Sequence, residues 1–125
     1  MTLATVSADS EPWCSTCFYA YDAAHNRFIF ASDETTRHGS EMMRNPGVAA
    51  AIALETKITG RIRGIQMTGS VNRVDTMDHE KASSLYLKRF PIAAFVKTTL
   101  WILEPEHIKM TDNRLGFGTK LVWHR

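Results

Sequence analysis

Two cysteines, spaced as Cys14-Ser15-Thr16-Cys17, are the first residues whose types and spacing suggest chemistry. A redox pair or half of a zinc site needs the two sulfurs close together. The neighbouring Trp13, Phe18, Tyr19 and Tyr21 read as strand. On a strand, three rises separate the two Cα atoms by about 10 Å and put the side chains on opposite faces. A disulfide needs a Cα separation of about 4.4–6.8 Å. The spacing therefore reads as accidental. His25, His79, His107 and His124 are scattered and no second Cys-x-x-Cys exists, so no metal site is expected. Gly116-Phe117-Gly118 lacks the third glycine of a dinucleotide fingerprint and reads as a turn. Arg61, Arg63 and Arg73 are the only hint of a basic face. With 15 basic and 13 acidic residues and a net charge of +2, a nucleic-acid partner is not expected.

These residues need elements to position them. The chain has 125 residues, 44% of them hydrophobic, which suits a single domain over 1–125. A domain of this size buries a limited share of its surface, so pairing with a second copy would help. No apolar run approaches the roughly 20 residues of a membrane span. Met1-Thr2-Leu3-Ala4-Thr5 carries no basic leader region, and the cytoplasm is the expected compartment.

Thr2 to Ser7 reads as a first strand, Ala8–Pro12 as a turn, and Trp13 to Tyr21 as a second strand. Asp22–Asn26 turns the chain into a third strand, Arg27 to Ser32, completing an antiparallel meander. A helix follows, capped by Thr35 or Thr36, with Met42 and Met43 packing inward and Asn45-Pro46-Gly47 stopping it. Val48 to Leu54 fits either a helix, by the propensity of its alanines, or a buried strand of small residues. Arg61 to Val74 reads as a long strand in which Gly64 and Gly69 suggest a bulge or close backbone approach. Thr76 caps a second helix that presents Ala82, Leu85, Tyr86 and Phe90 on one face and ends at Pro91. Thr98 to Leu103 and Ile108 to Thr111 read as strands around a Glu104-Pro105-Glu106 corner, and Leu121-Val122-Trp123 as a short last strand. The expected fold is mainly β with two inserted helices: a six- to seven-stranded antiparallel Greek-key barrel.

Particular residues then resemble a family. Pro12-Trp13-Cys14-Ser15-Thr16-Cys17-Phe18-Tyr19-Ala20-Tyr21-Asp22, Phe28-Ile29-Phe30-Ala31-Ser32, Thr36-Arg37-His38, Asn45-Pro46-Gly47-Val48-Ala49 and Arg61 to Val71 follow in that order. The series resembles the pyridoxamine 5′-phosphate oxidase-like split barrels, which bind FMN between two subunits. Arg89-Phe90-Pro91, Ile108–Asn113 and Leu115–Lys120 resemble the YhbP-like branch more closely. The resemblance covers nearly the whole chain. It also implies a helix ahead of the first strand that this chain lacks, so Met1 need not be the natural start.

The resemblance implies a split-barrel homodimer that binds FMN and acts as a flavin-dependent oxidoreductase of unassigned substrate. A helix N-terminus offers amides and a favourable dipole to a phosphate. The implied phosphate site is therefore Thr36, Arg37 and His38, with Thr35 beside them and Ser32 near the phosphate or ribityl chain. The family has a lysine where His38 stands, which makes that charge conditional. The implied ring site is the second strand at Ser15, Thr16 and Cys17, whose backbone can hydrogen-bond the ring, with Gln66 facing it from the long strand. The family oxidase has an arginine at the position of Cys14, and its absence argues against that reaction. No catalytic acid, base or nucleophile stands out, and the flavin needs none. The alternative is a split barrel that has lost flavin and serves as a ligand-binding or interaction module.

Overall fold

A computed structural model describes residues 1–125. Eight strands form: β1 (Thr2–Val6), β2 (Pro12–Thr16), β3 (Tyr19–Asp22), β4 (Arg27–Ala31), β5 (Gly47–Ala53), β6 (Arg63–Arg73), β7 (Leu100–Asp112) and β8 (Lys120–His124). Helix α1 (Arg37–Arg44) lies between β4 and β5, and α2 (His79–Arg89) between β6 and β7. The strands make one antiparallel sheet in the order β2-β1-β5-β6-β7-β4-β3, with β8 paired to the second half of β7. This is the expected mainly-β split barrel with two inserted helices, built from eight strands rather than six or seven. No helix is long and apolar enough to cross a membrane.

The stretch read as one strand from Trp13 to Tyr21 breaks at Cys17-Phe18. β2 pairs with β1, and β3 crosses to pair with β4 at the other end of the sheet. The ambiguous Val48–Leu54 run is a strand. Its alternation decides the matter: Val48 and Ala50 are buried while Ala49 and Ala51 are exposed.

The Glu104-Pro105-Glu106 corner does not form; β7 runs straight through it for 13 residues. Thr68 pairs with His107 and Gly69 with Pro105, so Glu106 is an extra residue in the ladder. Pro105, which has no N–H to donate, is tolerated at that bulge. The bulge also switches which alternate residues of β7 face inward, from Trp101 and Leu103 to Ile108 and Met110. Gly69 is required there, because a Cβ on it would collide with the Glu104 carbonyl oxygen. Gly69→Ala is expected to lower folding stability by about 2 kcal/mol, as overpacking does. A urea midpoint unchanged from wild type would contradict this.

Two cores hold the layers together. The main one lies inside the half-barrel and joins Leu3, Phe28, Phe30, Met67, Trp101 and Leu103 to Met42, which plugs one end from α1. Met43 instead points to solvent, because α1 buries only one narrow face. The second core lies on the opposite face of β3, β4 and β7, where Ala82 and Tyr86 of α2 cover Ala20, Ile29 and Ile102. Leu85 and Phe90 pack against it as the helical spacing requires. Thr76 does not cap α2. The helix starts at His79 after Asp78, whose carboxylate is taken by Arg27 at 2.7 Å.

Candidate functional site

The chain leaves β4 at Ala31 and enters α1 through Ser32–Thr36. Thr36 is the cap: its Oγ1 accepts from the Gly39 N–H at 3.0 Å and donates to the Asp33 carbonyl at 2.7 Å. Thr35 bonds Asp33 instead. The Ser32 hydroxyl lies 2.6 Å from His38 Nε2 and 3.3 Å from Thr36 Oγ1. Burial pushes the His38 pKa down, with Glu41 pulling the other way. Burial thus favours the neutral ring, which shares a hydrogen bond with the Ser32 hydroxyl. Trp101 fixes the loop from the core, its indole N–H donating to the Ser32 carbonyl at 3.0 Å.

Arg37 takes a different direction. Its Nε donates to Glu41 at 2.9 Å, a terminal nitrogen lies 3.5 Å from Glu11, and the guanidinium sits 4.4 Å above the Trp13 ring. Glu41 is buried, and hydrogen bonds from Thr5 and Arg37 hold its carboxyl below the usual range. Arg37 thus ties the start of α1 to the start of β2.

β2 is a terminal strand of the sheet. Met1 and Cys17 exchange both backbone hydrogen bonds, so Ser15 and Trp13, two and four residues back, also face β1. The amides and carbonyls of Cys14 and Thr16 consequently point to the open edge. Side chains alternate the same way. Ser15 pairs with the fully buried Leu3 and turns inward, where its Oγ is buried without a hydrogen-bond partner. Cys17 joins the main core, and burial raises its thiol pKa. Cys14 and Thr16 face outward, and both cysteines are free.

On that outer face two rows of paired residues cross the sheet. One runs Thr16, Thr2, Ala51, Gln66; the other runs Cys14, Ala4, Ala49, Thr68, His107, His124. Apart from Thr16 and His124 at their ends, they line a cleft of about 380 Å³, which Lys109 also borders. Its middle is flat because Ala4, Ala49 and Ala51 are small. Gln66 and Thr68 offer polar groups at one side and the open edge of β2 at the other, about 14 Å across by strand spacing.

Ser32, Thr36 and His38 therefore meet, and Gln66 shares a face with Thr16. Arg37 points to carboxylates, while Ser15 and Cys17 turn into the core. Cys14 and Thr68 join the outer face beyond the residues expected there. The period-2 alternation of the alanines in β5 was the signal that separates the faces. His107 and His124, read as scattered, are neighbours with Nδ1 atoms 3.2 Å apart across β7 and β8. No group of three metal-ligating side chains accompanies them.

Hydroxyls and an imidazole at a helix start, an open backbone edge and a flat outer face together suit an anionic group joined to a planar ring. A family model described as pyridoxamine 5′-phosphate oxidase matches residues 1–112. A UPF0306 protein of Photorhabdus laumondii is 42% identical over 125 residues, all of this chain and 87% of the relative. Among solved structures, a heme binding protein from Mycobacterium smegmatis superposes with a TM-score of 0.84 at 17% identity; 98% of this chain covers 51% of that one. A pyridoxamine 5′-phosphate oxidase-related, FMN binding protein from Nostoc punctiforme gives a TM-score of 0.69 at 16% identity, covering 99% of this chain and 79% of the other.

Proposed function

Given that this chain belongs to the pyridoxamine 5′-phosphate oxidase-like split-barrel family, in its YhbP-like UPF0306 branch, we propose that it binds FMN at the outer face of β2. The observation that carries the reading is the packing of Arg37 on Trp13. It joins the start of α1, where Thr36 and His38 stand, to the start of β2, the strand whose open edge carries the backbone of Cys14 and Thr16. The phosphate is held by Thr36, Ser32, His38 and the first amides of α1. Arg37 joins by exchanging Glu11, its exposed partner, for the phosphate. The ring lies along β2 over the small residues of β1 and β5, with Gln66 at its side. When bound, FMN supplies the redox chemistry; the chain binds and orients it. The backbone groups offered to the ring are those of Cys14 and Thr16, because Ser15 and Cys17 turn theirs to β1.

A second copy covers the outer face in this reading, closing the cleft as a homodimer in the cytoplasm, where both thiols stay reduced. One observation favours the alternative of a binding module without flavin: Arg37 already has carboxylate partners, and no other permanent positive charge stands in the cluster.

His38 gives the test. A neutral imidazole gains a proton more readily beside a phosphate, so its charge strengthens binding as pH falls. Relative to His38→Gln, the wild-type chain should gain FMN affinity by up to about tenfold from about pH 8 to about pH 6, roughly the free energy of one pH unit. Parallel pH profiles for the two proteins would remove His38 from the site.

A further inference from the structure

The face of the sheet opposite the proposed flavin cleft carries a second concavity. Ile65 and Gln66 are consecutive in β6, so they point to opposite sides, and the two clefts share no side chain. α1 plugs one end of the half-barrel interior; the other end opens into a cleft of about 520 Å³. Ladder register brings its walls together: Tyr21 lies opposite Phe28, Ile52 opposite Ile65, Ile65 opposite Met110, and Ile108 opposite Trp123. Ten of its eleven lining residues are hydrophobic. The volume falls in the range of ligand sites, about 300–1,000 Å³.

Arg89 is the one charged residue at this cleft. It is the last residue of α2, which packs on the far side of β3, and its side chain reaches round that edge strand. The guanidinium rests 4.8 Å from the centre of the Tyr19 ring and 5.6 Å from that of Phe90. No carboxylate lies within ion-pair distance of it, although eight such pairs form elsewhere in the chain. No acidic residue lines the cleft. A single guanidinium held by aromatic faces at the rim of an apolar trough leaves its fork of donors for an oxyanion.

The geometry points to a second ligand site, one that takes an apolar carboxylate: a hydrocarbon or aryl body against Tyr21, Ile65, Met110 and Trp123, and the carboxylate on Arg89. The body is selected by apolar burial, which contributes about 25 cal/mol per Å² removed from water. The head is selected by charge, because an ammonium would meet Arg89 and a neutral alcohol would gain only an ordinary hydrogen bond. The site is independent of flavin, since it lies on the other face of the sheet.

Calorimetric titration of the full chain with decanoate, decanol and decylamine tests the assignment. Decanoate should bind at one site per chain and at least about tenfold more tightly than decylamine, about 1.4 kcal/mol. Arg89→Gln should lower decanoate affinity about tenfold and leave decanol unchanged. Arg89 is exposed and ion-pair-free, so this variant keeps the fold, which an unchanged thermal midpoint confirms. Ile65→Trp, which fills the trough, should remove both ligands. Equal affinity for decanoate and decylamine, or decanoate binding indifferent to Arg89→Gln, overturns the proposal. Failure of all three compounds to bind, as when a second copy covers the trough, overturns it as well.

Discussion

Arg27→Ala should destabilise the fold by about 3–5 kcal/mol, the cost of stranding a buried charge. Arg27 opens β4 and is nearly fully buried. Its Nε donates to Asp22 at 3.0 Å, and its two terminal nitrogens donate to Asp78 at 2.7 and 3.2 Å. Asp22 is only 3% exposed. Burial pushes its carboxyl upward, but hydrogen bonds from His25 and Arg27 outweigh this and hold it below the usual range. Removing the guanidinium leaves Asp22 with a histidine and a backbone amide, and it frees Asp78, which anchors the start of α2. The second core then loses its clamp. Arg27→Lys should recover only part, because an ammonium cannot serve both carboxylates with a planar fork. The depressed carboxyl contributes stability that is present above its unfolded value and lost as pH falls through its folded one. The penalty of Arg27→Ala should therefore shrink in acid, where Asp22 takes up a proton. Urea unfolding at neutral and acid pH measures both effects. A loss under 1 kcal/mol at neutral pH, the value of an exposed pair, would contradict the account.

Trp101→Ala should cost a similar amount, about 3–5 kcal/mol, for a different reason. The side chain is 1% exposed at the centre of the main core, facing Phe30 across the β4–β7 ladder. Its removal opens a cavity that rigid strands on both sides cannot close. Trp101→Phe separates packing from polarity. It keeps most of the ring but drops the hydrogen bond to the Ser32 carbonyl, at about 1–3 kcal/mol for a buried group left unpaired. Ser32 then loses the contact that fixes it beside Thr36 and His38. Trp101→Phe should accordingly weaken FMN binding more than its stability loss alone would at saturating folded protein. Unfolding midpoints and flavin affinities measured on the same samples distinguish the two. Wild-type affinity in Trp101→Phe would show that Ser32 has no part in the site.

Much of the fold was legible because its signals are local. Polar turns separate aromatic, β-branched runs, and Gly64 and Gly69 mark the close backbone approaches that the ladder contains. Three features were not local. Trp13 to Tyr21 is continuous in pattern, and only pairing partners far along the chain reveal that it changes neighbours at Cys17-Phe18. Pro105 reads as a corner, yet a bulge opposite Gly69 carries the strand through it. Thr76 has a capping pattern, but Arg27, 51 residues before Asp78, recruits Asp78 and sets the helix start. At the site, the Thr36 cap and the Ser32–Thr36–His38 grouping follow from sequence proximity. The inward turn of Ser15 and Cys17 depends on one residue of register, and a slip of one reverses every face. The meeting of His107 with His124 depends on β8 pairing with β7 rather than any other strand.

The proposed function requires that this split barrel hold FMN. Titrating the purified full chain into FMN and following flavin fluorescence tests it most directly, with hemin absorbance run in parallel. Saturable quenching is expected at one flavin per chain with micromolar affinity, weakened by Arg37→Ala. Unchanged flavin fluorescence at saturating protein would contradict it and leave the binding-module reading in its place.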